Sequence, residues 1–240
     1  MNKLATVAFF LFLSTTIKAN DMIDSLKAYI KNKESDKIIA CINKNPEILE
    51  QMDANGSTGL LIIAYSGLDN AFAVAKSLKK HFNFHEAIVC GKIDLVKQNI
   101  VKNKNLTNTY SVDGFTPLSL ASFFNETLIA KLLLENGANP NLQATNPSKV
   151  NALHSAVAKE NYDLCLLLIK NGVNVNATQI QNVTALHSAA HRGNLKIVKL
   201  LVENGADISL KMDNGDTAIS IAEKDKHKEV LDFLVEKSKK

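Results

Sequence analysis

Tryptophan is absent from the 240 residues, and proline (4) and glycine (10) are scarce. A turn-rich all-β fold is poorly served by such a composition, and helices are well served. Cysteine is also scarce. Cys41, Cys90 and Cys165 are an odd set, which does not make a disulfide framework. An excess of one charge is missing as well. The formal net charge is +4, and Lys3 and Lys18 of the extreme N-terminus account for two of those charges. So small an excess gives no reason to expect a nucleic-acid partner, and the terminal Lys237-Ser238-Lys239-Lys240 reads as a solvated end. No G-x-G-x-x-G or G-x-x-x-x-G-K-[ST] phosphate loop is present.

One apolar run stands out. Lys3 precedes the uncharged stretch Leu4–Leu13, and Ser14-Thr15-Thr16-Ile17-Lys18-Ala19 follows, ending on a small residue. This is the pattern of a secretory signal peptide over 1–19, with cleavage expected after Ala19. The run is well short of the roughly 20 apolar residues that cross a bilayer, so no stable membrane insertion is expected after cleavage. N-x-[ST] occurs at Asn55, Asn105, Asn125, Asn176 and Asn182, which matters only where exported proteins are glycosylated.

The rest of the chain repeats. Phe115-Thr116-Pro117-Leu118-Ser119-Leu120-Ala121, Val150-Asn151-Ala152-Leu153-His154-Ser155-Ala156, Val183-Thr184-Ala185-Leu186-His187-Ser188-Ala189 and Asp216-Thr217-Ala218-Ile219-Ser220-Ile221-Ala222 align, with 116, 151, 184 and 217 spaced by 35, 33 and 33. Glu135-Asn136-Gly137-Ala138-Asn139, Lys170-Asn171-Gly172-Val173-Asn174 and Glu203-Asn204-Gly205-Ala206-Asp207 close three of these units, at spacings of 35 and 33. Two landmarks share one period.

These segments resemble ankyrin repeats, whose period is about 33 and whose opening is T-P-L-H-x-A. Thr184 to Ile208 is the fullest match, and the resemblance is specific over 113–236. It implies an all-α repeat solenoid of stacked helix-turn-helix units joined by short β-hairpin loops. The expected units are degenerate ones at about 21–54 and 55–81, clearer ones at about 82–112, 113–147, 148–180 and 181–213, and a C-terminal cap at 214–240. Thr58 lies only 24 residues before its expected equivalent, Phe82, so that unit has lost its closing loop. The resemblance also places His85, His154 and His187 at the T-P-L-H position, where imidazole ties neighbouring hairpins together.

The local chemistry agrees. Thr116, Asn151, Thr184 and Thr217 are good N-caps, and Gly137, Gly172 and Gly205 sit where a helix end needs a left-handed residue. The turn inside each unit carries Gly91, Asn125, Glu160, Gly193 or Lys226. Glu160 and Lys226 are poorly suited to positive φ, so those turns are expected to be shifted or strained. Stacked arrays need polar outer ends, which suits the lysine-rich 224–240.

Two chemical readings compete with a binding module. His187 and His191 stand four apart on one helix and could hold zinc, but Ser188 replaces the glutamate that a metalloprotease H-E-x-x-H needs. Cys90 near His85 lacks any third partner for nucleophilic catalysis. The cysteines fall in alternate units, too far apart for an intramolecular disulfide, and Cys165 is expected to be a buried apolar group. No catalytic residue, metal or cofactor is assigned.

In ankyrin arrays partners are contacted by hairpin tips and by the exposed end of the first helix. That resemblance marks Phe115, Phe123, Phe124, Val150, Ala158, Lys159, Val183, His191 and Arg192, with Asp216, Lys224 and Asp225 in the last unit and Tyr65, Val89 and Cys90 upstream. The three phenylalanines form an apolar binding patch or fill a gap beside the shortened unit. The expected function is non-catalytic binding of a protein partner on the concave face. The lysine-, asparagine- and isoleucine-rich composition looks bacterial, so with the leader a periplasmic or secreted product is expected. Bacterial ankyrin proteins that this sequence resembles include exported host-interaction factors and periplasmic proteins linked to oxidative-stress protection.

Overall fold

The computed structural model describes residues 22–239. The leader expected at 1–19 lies outside the described residues. Those residues are all-α, in successive helix pairs, with no regular strand among them. The chain divides into two compact units, one ending at Glu86 and the other beginning at Ala87.

The first unit contains a helix over 22–31 (α1), α2 (Ser35–Lys44), α3 (Gly59–Ala64) and α4 (Asp69–Leu78), and the boundary with the second falls inside α5 (Phe84–Val89). Its core is Leu26, Ile38, Ile42, Ile48, Leu49, Leu60 and Ile63, all inaccessible to solvent, closed by Ala71 and Ala75 on α4. A single antiparallel bridge, Met52 to Thr58, forms a rudimentary hairpin before α3. Gly59 then has to be glycine. A β-carbon there would lie 2.1 Å from the Ile48 carbonyl oxygen, so the 3-10 turn Pro46–Leu49 could not sit against the start of α3.

The second unit continues through α6 (Ile93–Lys102), α7 (Pro117–Phe123), α8 (Thr127–Glu135), α9 (Ala152–Ala158), α10 (Tyr162–Lys170), α11 (Ala185–His191), α12 (Leu195–Glu203), α13 (Ala218–Lys224) and α14 (Lys228–Lys237). The first helices stack on one another in the order α7, α9, α11, α13, and the second helices in the order α6, α8, α10, α12, α14. The apolar period of each helix supplies the core between the two layers: Leu118 and Ala121, Leu153 and Ala156, Leu186 and Ala189 from the first helices, and Leu133, Leu168 and Leu201 from the second.

Each first helix starts at a side-chain cap. Thr116, Asn151, Thr184 and Thr217 accept the backbone N–H of the third helical residue at 3.0, 3.1, 3.4 and 3.2 Å. At the next step of the chain the helix ends are alike too. Gly137, Gly172 and Gly205 have φ of 89°, 81° and 90°, and the residue after each donates back to the helix, as in Ala138 N–H to Leu133 O at 3.0 Å.

Three asparagines join neighbouring closing loops. Asn108, Asn141 and Asn176 each donate through Nδ2 to the carbonyl of Gly137, Gly172 or Gly205, and accept through Oδ1 from the N–H of Asn139, Asn174 or Asp207. The hairpin tips are linked likewise, by Thr145 N–H to Gly114 O, Ile180 N–H to Ser148 O and Asp213 N–H to Gln181 O, at 2.9–3.1 Å.

One expectation is resolved and another needs correction. Of the two outcomes expected at Glu160 and Lys226, shifted or strained, the turns take the second: both residues adopt left-handed φ of 54° and 61° in place, as Asn125 does at 63°. The bonds Asn161 N–H to Ala156 O and His227 N–H to Ala222 O fix the turn whatever residue occupies it. The register of α5 is also one residue later than expected. Asn83, not Phe82, is its cap: Asn83 Oδ1 accepts the Glu86 N–H at 2.9 Å and Glu86 Oε2 accepts the Asn83 N–H at 3.0 Å. Glu86 therefore takes the position that His154 and His187 hold in their units, and His85 does not.

Candidate functional site

Counting from each cap shows how the second unit exposes side chains. The sixth residue after the cap is Ser122, Val157 and Ala190, all fully buried between stacked helices, and then Glu223, which is exposed on the last pair. The seventh and eighth residues turn outward at the end of the helix. Here lie Phe123 (38% exposed), the half-buried Phe124, the exposed Lys159, and the exposed pair His191 and Arg192. Phe115, Val150 and Val183 are half-buried on the adjoining hairpins. Val89 and Cys90 do not join this row as expected. With the cap at Asn83, Val89 falls on the buried sixth position, and both residues are buried.

Phe123 and Phe124 pack edge to face with ring centroids 5.2 Å apart, and the Lys159 ammonium lies 4.4 Å from the Phe123 centroid, within cation–π range. The apolar patch thus carries a cation at its border. Farther along, Arg192 pairs with Glu160 at 3.6 Å, and His191 Nδ1 lies 2.6 Å from the Asp225 carboxylate. Lys224 bonds Asp216 at 2.5 Å. These last residues border a cleft between α11 and α13 with Val183, Met212 and Ile221 in its lining and a volume of about 300 Å³.

His187 lies at the base of that cleft and is part of the framework. Its Nδ1 accepts the Thr184 N–H at 3.0 Å, and its Nε2 lies 3.0 Å from the Leu210 carbonyl on the next hairpin loop. Both ring nitrogens are committed, so the His187–His191 zinc alternative loses one of its ligands. His154 repeats the inward half of this arrangement, with Nδ1 accepting the Asn151 N–H at 3.3 Å. Its burial pushes the imidazole down to about 4. Cys165 is fully buried and its thiol is pushed up to about 12, an inert apolar group rather than a nucleophile.

Sequence reasoning missed three features. Met212 and Ile221 line the cleft beside Asp216, Lys224 and Asp225, and the contact positions counted from the sequence did not include these two apolar residues. The asparagines 108, 141 and 176 recur at spacings of 33 and 35 and could have been found by extending the repeat alignment outside its best-matched core. The third feature is an ion cluster in the first unit. Lys79, its side chain buried, donates to Leu49 O at 2.9 Å and Glu50 Oε2 at 2.7 Å, and lies 3.2 Å from Glu86 Oε1, which also accepts from Thr58 Oγ1 at 2.6 Å.

Comparison with known proteins agrees with this architecture. Two family models, described as ankyrin repeats in three copies and in many copies, match residues 84–179 and 168–222 and together span more than half of the chain. The human DNA-binding protein RFXANK is 39% identical over 62 residues, covering 26% of this chain and 24% of the relative. Two ankyrin repeat proteins of Fowlpox virus (strain NVSL), FPV024 and FPV034, are 34% identical over 93 residues and 35% over 97. They cover 38% and 40% of this chain, and 15% and 22% of the viral proteins. The chain thus spans about a quarter or less of the length of these curated relatives. No helix among the described residues is long and apolar enough to cross a membrane. Ankyrin repeats are protein–protein interaction modules, and by its matched models and its repeated caps and loops this chain belongs to the ankyrin-repeat family.

Proposed function

We propose that the chain is an exported, non-catalytic recognition module that holds a protein partner on the outward ends of its first helices and the adjoining hairpins. One observation carries this reading. From unit to unit the caps, closing glycines and loop-joining asparagines stay constant, while the seventh and eighth positions after the cap change from Phe123-Phe124 to Ala158-Lys159 to His191-Arg192. A constant frame with varied exposed side chains suits recognition, because specificity lives in the site and not in the architecture. Phe115, Val150 and Val183 extend the same surface.

Export is part of the proposal and rests on the leader Lys3, Leu4–Leu13 and Ala19. Together with the lysine-, asparagine- and isoleucine-rich composition, the leader favours a periplasmic or secreted bacterial product. Nucleic acid is left out because the net charge of +4 offers no broad basic face.

The test is a pull-down from periplasmic and host extracts with the protein purified after export, beside the Phe123→Ser/Phe124→Ser double variant. A partner captured by the parent and lost from the double variant, with an unchanged melting temperature, is the expected result. A large fall in melting temperature would instead identify the rings as filler. Intact-mass measurement should place the N-terminus at Asn20.

A further inference from the structure

We infer that the cleft between α11 and α13 takes one large apolar side chain from an extended segment of the partner, with a carboxylate-bearing residue beside it. This rests on the recognition reading above and names the chemistry recognised.

The volume of about 300 Å³ accommodates a leucine or phenylalanine side chain. Val183, Met212 and Ile221 are all half-buried there, so their apolar surface leaves water only when something apolar enters. His187 cannot serve as a polar contact, since Thr184 and Leu210 hold both its nitrogens.

The mouth decides the sign of the flanking charge. Lys224 and His191 have side chains 64% and 72% exposed, whereas their partners Asp216 and Asp225 are set back at 18% and 33%. The outward charge at the mouth is the Lys224 ammonium. Lys224 is also free to transfer: Asp216 keeps the Ser220 hydroxyl at 3.1 Å and the Asn214 amide at 2.9 Å when the ammonium turns away. An incoming carboxylate gains a charge-assisted bond and strands no acid. An incoming lysine would meet Lys224 first.

The experiment titrates the isotopically labelled full chain with the blocked tetrapeptide acetyl-Ala-Leu-Asp-Ala-amide, followed by NMR. Saturable shifts centred on the Ser188 and Ile221 amides are expected. A peptide with lysine for aspartate should bind about fivefold more weakly, the worth of one exposed ion pair, and one with alanine for leucine should give no saturable shift. Lys224→Gln should erase the preference for aspartate, and Ile221→Asp should abolish binding by all peptides with the helical spectrum intact. Equal binding of the aspartate and lysine peptides, shifts centred elsewhere, or no saturation at millimolar peptide would overturn the pocket. The outcomes separate from those of the wider reading. Capture that depends on Phe123 and Phe124 beside a failed titration removes only the pocket. A successful titration beside an unaffected double variant removes the phenylalanine surface and leaves the pocket.

Discussion

His154 has a proton balance that the unfolded chain does not share. Burial holds its imidazole at about 4, against an ordinary value of about 6.5 in the unfolded chain. Between those values the unfolded chain binds a proton that the folded chain refuses, so stability falls as the pH drops through that window. Protonation also needs the Nδ1 lone pair that accepts the Asn151 N–H. His187, also pushed down by burial, acts in the same direction. Urea denaturation should therefore show about 2 kcal/mol less stability at pH 5 than at pH 7 from His154 alone, by the conversion of about 1.4 kcal/mol per unit. His154→Gln should flatten that slope. Lys226 makes a second case. It holds φ of 61° with an exposed side chain, so Lys226→Gly should raise stability by about 1 kcal/mol, read as a melting-temperature increase. Glu160→Gly should gain less, because the Glu160 carboxylate also accepts from Asn194 and pairs with Arg192. The need for a left-handed residue at these turns was legible in the sequence. Whether the backbone would shift or hold to it against Glu and Lys was left open, since the deciding hydrogen bonds belong to the turn and not to the residue.

Among the elements, the connection from α4 to α5 departs most from the pattern. Only residues 79–83 join these helices, and Lys79 gathers the Leu49 carbonyl, Glu50 and Glu86 around a buried ammonium. Removing one partner of a buried pair costs more than removing both. Lys79→Met should destabilise the chain by about 3–5 kcal/mol, and adding Glu86→Gln should recover a substantial part, as chemical denaturation would measure. Recovery of nothing would show that the ammonium matters through Leu49 and Glu50 alone. Caps such as Thr116 and Thr184 could be read from sequence because they demand particular side chains at a fixed offset. This cluster could not, because Leu49, Glu50 and Thr58 lie about thirty residues from the charges they meet and no periodicity marks them. The slip at α5 was avoidable: Asn83-x-x-Glu86 is itself a cap with its reciprocal acceptor, but His85 imitated the expected motif one residue early.

Within the second unit, each helix pair covers the one before it. Leu186, Ala190 and Val198 are buried beneath α13 and α14, which stack on α11 and α12. On the final pair the residue matching Ala190 is the exposed Glu223, which suits a surface that meets water. Ending the chain at Asp213 should uncover Leu186 and Val198 and cost about 3–6 kcal/mol, from burial of roughly 1.5–3 kcal/mol per side chain. A lower denaturation midpoint for the shortened chain is expected, and an unchanged one would mean that the last pair adds nothing to the stack. The row of exposed positions proposed for recognition could be counted from the caps, and Val89 and Cys90 dropped out of it where the cap was misplaced by one residue. The cleft was not, because its mouth depends on which member of each ion pair points outward.

The step from the cap Thr116 to the cap Asn151 is 35 residues against 33 for those that follow, and the place of the difference is informative. From Asn108 to Thr116 and from Asn176 to Thr184 the distance is 8 residues, but from Asn141 to Asn151 it is 10. The two additional residues fall in the hairpin, beyond the asparagine bonds and before the cap. This tip thus holds two residues more than its neighbours while the asparagine bonds on either side stay in step. Foreign sequence inserted near Pro147 would inherit that tolerance, whereas one residue added between Asn139 and Asn141 would put every later loop out of phase with its neighbour.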